Sequence, residues 1–245
     1  TYNKYKEWTW QLSRHNDWKL LAYVYRKTGN EKYAKVCAEL FKSWVEQAVC
    51  PDEDVRGYET LCWRTIECGI RMGANWPYVL HAFYRSDAFT DDIITDWYKS
   101  IIKHGRRLRR QHMSGNWLIM EMNGLAHIGI LYPELKESKE WLSYAMEVLK
   151  QELTRQIYPD GFQYELTTGY HDVVLNNYQR LFRTAKAYGV EFPEEFLTTL
   201  ERMALINVML MQPDGRLPNI NDGSHAMAAK VLEPKLEMFP DNQQI

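Results

Sequence analysis

The sequence has no C-x-x-C pair, no apolar run long enough to span a membrane, no excess of charge of either sign and almost no strand pattern. Each absence excludes something. The four cysteines, Cys37, Cys50, Cys62 and Cys68, sit in a chain of 245 residues, which is too large to need covalent staples. They read as free thiols, with a Cys50–Cys62 bridge left open. Thirty Lys and Arg against 32 Asp and Glu leave a formal charge of -2, which argues against a general nucleic-acid binder. Without a 20-residue apolar stretch there is no helical membrane span to expect. With 45% hydrophobic and 25% charged residues, disorder is excluded as the main state. The chain opens at Thr1 in what reads as folded sequence, so a mature form or a domain of something longer is expected. What is abundant is aromatic: 9 Trp, 16 Tyr and 8 Phe. Packing accounts for most of these rings, although ring faces also suit stacking on sugars.

The hydrophobic period is helical nearly throughout. Trp18, Leu21, Ala22 and Tyr25 recur at three and four, Thr28-Gly29-Asn30 stops the pattern, and Tyr33, Ala34, Cys37, Leu40, Phe41 and Trp44 resume it. That is a helical hairpin with a tight polar turn. Further helices are expected over about 58–73, 76–84, 90–110, 117–131, 138–156, 170–187 and 194–211. Only 162–166 and the tail after Lys230 suggest extended chain. The expected fold is all-α, and an (α/α) toroid, complete or incomplete, is favoured over a solenoid because no short repeat is visible. A single domain over residues 1–245 is expected.

Polar residues crowd into three segments at expected helix ends. The first is Ser114-Gly115-Asn116-Trp117, with Glu121 on the following helix. The second runs from Pro159-Asp160-Gly161 through Glu165 to Thr168-Gly169-Tyr170-His171. The third runs from Pro213-Asp214-Gly215 to Asp222 and His225. Residue type alone also suits plainer roles: Asn116 as a helix N-cap, the two Pro-Asp-Gly triplets as turns, Tyr170-His171 as a satisfied interior pair, and Asp222 and His225 as surface loop.

The pair "SGNWLIMEMNGLAHIGILYPELKES" and "YPDGFQYELTTGYH" resembles the heparinase II/III family of polysaccharide lyases. The likeness runs from about Asp17 to His225 and is strongest from Gly115 to His171, with Asn116 and Tyr170 54 positions apart. The resemblance implies an N-terminal (α/α) toroid followed by a β-sandwich domain, the latter absent from this chain. It implies cleavage of a uronic-acid polysaccharide, heparan sulfate or heparin, by β-elimination. It maps the carboxylate-neutralising residue onto Asn116, the proton-transfer residue onto Tyr170, and the adjoining histidine onto His171. A further catalytic histidine would come from the β domain. Residence in a bacterial periplasm or secretion follows from the same resemblance.

The chemistry fits those residue types. Removing the proton beside a carboxylate builds charge that an amide can stabilise without adding negative charge. A tyrosine acting as base needs its pKa lowered from near 10, and a cationic His171 or nearby arginines would do that. The basic run 103–112 leads into Asn116, and Lys103, Arg106, Arg107 and Arg110 fall on one helical face. Arg106 and Arg110 are candidate contacts for sulfate or carboxylate groups, against a merely solvated face. Trp117, Glu121, Glu165, Asp222 and His225 complete the candidate substrate contacts. Glu121 and Glu165 also admit an (α/α) glycoside hydrolase, and a non-catalytic sugar-binding module remains an alternative. Alginate or another uronate polymer is the main rival substrate. No metal-ligand spacing is found, and neither metal nor cofactor is expected. The expected partner is an acidic polysaccharide, with the β domain in cis, and neither nucleic acid nor membrane.

Overall fold

A computed structural model describes residues 5–223 and 225–245. Its helices are α1 (Lys6–Leu12), α2 (Asn16–Thr28), α3 (Lys32–Gln47), α4 (Thr65–Ile70), α5 (Trp76–Phe83), α6 (Asp91–Arg110), α7 (Gly115–Leu131), α8 (Ser138–Gln156), α9 (Thr168–Ala187), α10 (Glu194–Met209) and α11 (Ala228–Leu232). Among the described residues there is no sheet, only two isolated bridges, Ile157 with Gln163 and Arg216 with Met227. The extended chain expected at 162–166 is therefore one side of a tight turn. The tail after Lys230 ends α11 and continues into a 3-10 turn, Glu233–Lys235. All four cysteines are free. The helices group into two compact units: residues 1–113 with 120–142, and residues 114–119 with 143–245.

In the first unit, the periodic apolar faces of α2, α3, α5 and α6 bring Trp18, Phe41, Trp76 and Trp97 together. Trp97 lies 4.4 Å from Phe41 and 4.6 Å from Trp76, centroid to centroid. Between α4 and α5 the helix widens into a π turn, Arg71–Asn75. Such turns re-aim side chains, and here both ends reach the α1–α2 turn. Arg71 donates to the Ser13 carbonyl at 2.7 Å, and Asn75 donates to the Arg14 carbonyl at 2.6 Å. The turn includes His15, a non-glycine residue at φ 57°.

The expected helix over 58–73 starts seven residues late, at Thr65. Its would-be first turns belong to a loop that begins before them, and three of the carbonyls over 55–63 are satisfied from afar. Arg107 of α6 donates to Trp63, Val55 and Arg56 oxygens at 2.6, 3.3 and 3.2 Å. This also corrects the basic face: Arg107 is buried while Lys103, Arg106 and Arg110 are exposed. A guanidinium with three carbonyl partners is far cheaper to bury than an unpaired one.

In the second unit, α9 is the centre. Tyr178 is buried against Phe196 of α10 and donates its hydroxyl to the Leu149 carbonyl of α8 at 2.7 Å. Lys235 of the C-terminal turn is buried on the other side of α9, with its ammonium on the Asn176 side chain.

Candidate active site

The second unit gathers all three polar segments at the start of α9. Gly115 opens α7 at φ 67°, and a side chain there would strike the Tyr164 hydroxyl. Asn116 follows in the first turn, 7% exposed. Its Nδ2 donates to both Glu165 oxygens, at 2.8 and 3.0 Å. Glu165 is steered by Gln163, which donates from Nε2 at 3.1 Å and accepts the Glu165 backbone amide at 2.9 Å. Gln163 in turn reaches Gln156 of α8, and Gln156 donates to the Gly115 carbonyl at 2.9 Å and to Glu152 at 2.7 Å. A continuous amide–carboxylate chain thus ties the first motif to the second. Gln156 and Glu152 lie outside the three segments singled out in the sequence, and Gln163, within the second, is given no role there. The Q-x-E spacing at 163 and 165 was the available signal, because alternate residues of an extended segment share a side.

Thr167 caps α9, accepting the Gly169 amide at 3.2 Å. This puts Tyr170 in the first turn, half-buried. Among the described residues its hydroxyl has no hydrogen-bond partner. The third segment closes over this turn. Thr168 donates to the Pro218 carbonyl at 3.0 Å, Asn221 donates to the Leu166 carbonyl at 2.8 Å, and the Asp222 backbone lies against Gly169. The Asp222 and His225 side chains are exposed and Trp117 is half-buried. Both Pro-Asp-Gly triplets are turns: Asp160 accepts the Phe162 amide at 2.8 Å, and Asp214 accepts the Arg216 amide at 3.1 Å.

His171 differs from expectation. Its Nε2 donates to the Met203 carbonyl of α10 at 2.9 Å, and its Nδ1 accepts the Gln163 amide at 3.3 Å. Burial pushes its pKa down to about 4, against a smaller upward pull from the Met203 carbonyl. The ring is neutral near pH 7 and both nitrogens are engaged, so it cannot supply the positive charge expected beside Tyr170. It instead fixes the 157–165 turn onto α10.

In the first unit, Glu121 is fully buried, which keeps it out of direct reach of a polymer and corrects its place among the substrate contacts. Its carboxylate accepts the Met113 amide at 2.8 Å. Burial pushes its pKa up to about 7, opposed by the Thr65 hydroxyl and the Met113 amide. A carboxyl raised on folding stabilises fully below its unfolded value near 4.5, and that stability is lost as pH rises through about 7. The chain is therefore expected to lose on the order of 3 kcal/mol between pH 5 and 8 from this group. Thermal melts of wild type and Glu121→Gln at both pH values test this, since the amide should flatten the difference. An equal loss in both proteins would assign the pH dependence elsewhere.

Arg106 and Arg110, also in the first unit, are already paired. Arg106 holds Glu137 at 2.6 Å and Arg110 holds Glu53. They line a cleft of about 150 Å³ with Lys103, Cys50 and Gln111. Exposed pairs of this kind contribute at most about 1 kcal/mol each, so a polyanion can displace them.

The whole chain, residues 1–245, matches the family model described as heparinase II/III N-terminus. This chain belongs to the heparinase II/III family. A heparin-sulfate lyase of Bacteroides stercoris is 28% identical over 99% of this chain and 39% of its own length. A heparin-sulfate lyase of Pedobacter heparinus is 28% identical over 99% of this chain and 37% of its own length. The crystal structure of heparinase III superposes with a TM-score of 0.87 at 26% identity, covering 94% of this chain and 37% of that one. The chain thus spans less than two fifths of these heparinase-family relatives. The all-α fold of the toroid type expected from sequence is the fold shared with heparinase III.

Proposed function

We propose that this chain is the helical part of an exported polysaccharide lyase that cleaves a uronic-acid glycosaminoglycan, heparan sulfate or heparin, by β-elimination. The observation that carries the proposal is the Tyr170 hydroxyl in the first turn of α9, without a hydrogen-bond partner among the described residues and in the same compact unit as the buried Asn116 amide. Two relatives in this family bear the name heparin-sulfate lyase, which favours heparan sulfate over alginate.

The chemistry asks little of the protein beyond placement. The C5 proton of the uronate leaves to the Tyr170 oxygen. The C5–H electron pair becomes the C4=C5 double bond, and the C4–O bond breaks. The same phenol then returns the proton to the departing oxygen. Asn116 donates to the uronate carboxylate, where negative charge grows as the proton leaves; a fixed donor aimed there lowers the barrier. A histidine from a β-sandwich domain beyond this chain completes the site under this proposal.

The test is the growth of ultraviolet absorbance when the parent-length enzyme meets heparan sulfate, heparin, hyaluronan and alginate. The unsaturated uronate product absorbs; a hydrolase product does not. A rise with heparan sulfate or heparin is expected. Polymer binding without any rise would make the chain a sugar-binding module. A rise with alginate alone would move the substrate assignment.

A further inference from the structure

The Asn116 amide that the proposed chemistry aims at a carboxylate already holds one. Nδ2 donates to Glu165 Oε1 and Oε2 at 2.8 and 3.0 Å, and the Asn116 backbone amide points to Oε1 at 3.4 Å. Asn116 is buried, with little room to turn away, whereas Glu165 is half-buried and keeps an open side.

The charges around Glu165 do not compensate it. Among the described residues no arginine or lysine is in ion-pair contact with it. Tyr164 adjoins it in its own segment. On α8 the chain of amides leads to Glu152, which is held by Arg155 at 3.1 Å. On α9 the neutral His171 accepts the Gln163 amide, and in the loop over α9 the Asp222 backbone lies against Gly169. A second carboxylate drawn to Asn116 therefore meets the Glu165 side chain, which among the described residues has no arginine or lysine in ion-pair contact with it. Two carboxyls in that position relieve their repulsion by sharing one proton.

Resting on the lyase proposal above, we propose that Glu165 and Asn116 form one carboxyl-recognition unit, in which Glu165 and the substrate uronate share a single proton and the Asn116 amide bridges them. The proton comes from solvent on binding and returns to it on product release. While held, it neutralises charge at the carboxyl as the C5 proton departs, which a lone amide does only in part.

The test is the pH dependence of KM for the parent-length enzyme on heparan sulfate. In wild type, KM should rise about tenfold per pH unit above the apparent pKa of the shared pair. Glu165→Gln keeps an Oε1 acceptor for Asn116 and Gln163, and its KM should be flat over the same range with a lower kcat. Should that variant misfold, calorimetry on Tyr170→Phe in buffers of different ionisation enthalpy reads the same proton directly, with uptake of about one per site expected. Equal KM slopes in wild type and Glu165→Gln, a flat wild-type profile, or no proton uptake would overturn the shared proton. Elimination with any of these results leaves the lyase proposal standing, whereas no elimination at all brings both down.

Discussion

Under the proposed β-elimination, replacing Tyr170 by phenylalanine in the parent-length enzyme is expected to cut turnover by about 10²–10⁴-fold, the usual cost of losing a positioned proton-transfer group. Binding of heparan sulfate should be nearly unchanged, because the ring stays and only one oxygen goes. The fold should not notice either. Among the described residues the Tyr170 hydroxyl bonds to nothing, whereas the Tyr178 hydroxyl on the same helix is buried on the Leu149 carbonyl. Tyr178→Phe therefore serves as the opposite control, losing stability and keeping chemistry. Ultraviolet turnover, calorimetric binding and a thermal melt separate these outcomes. Turnover near wild type in Tyr170→Phe would remove Tyr170 from the reaction. Loss of binding together with turnover would make its role one of substrate contact.

The second large effect is structural and is independent of any function. Gly69 of α4 and Gly124 of α7 face each other where the two helices meet in the first unit. A Cβ on Gly69 would stand 2.6 Å from the Met120 carbonyl and 2.7 Å from the Glu121 Cα, and one on Gly124 would stand 2.6 Å from the Gly69 carbonyl. These obstacles are backbone, which cannot swing aside as a side-chain tip can. Gly69→Val is therefore expected to force the helices apart at a cost of about 3 kcal/mol or more. For a chain of this size that is roughly 6–12 °C in Tm. Gly124→Val should behave alike, and the double variant should cost less than the sum, since one separation accommodates both. A melt within 1 °C of wild type would show that the contact is looser than the backbone positions require. Because Glu121 lies in this contact, the same variants should also blunt its pH effect on stability.

The helical fold was legible because local chemistry decides it. Apolar residues at three and four wrote α2, α3, α6 and α8 into the chain, and Asp160-Gly161 and Asp214-Gly215 wrote turns through Asx bonds two residues long. The sequence by itself also determined the two motifs: a glycine able to open α7 at positive φ before Asn116, and a threonine able to cap α9 ahead of Tyr170. Tertiary structure decided everything that depends on distant partners. Arg107 turns inward because carbonyls 44 to 52 residues away await it, and those same bonds delay α4 to Thr65. His171 is neutral because burial and two backbone partners make its charged form costly, which no spacing of residues reveals. Glu165 sits on Asn116 across 49 residues, so a carboxylate that looked like a substrate contact is first the internal partner of the amide. Periodicity and capping act within a few residues and can be read along the chain; desolvation and charge pairing act through space, and only the folded chain sets them.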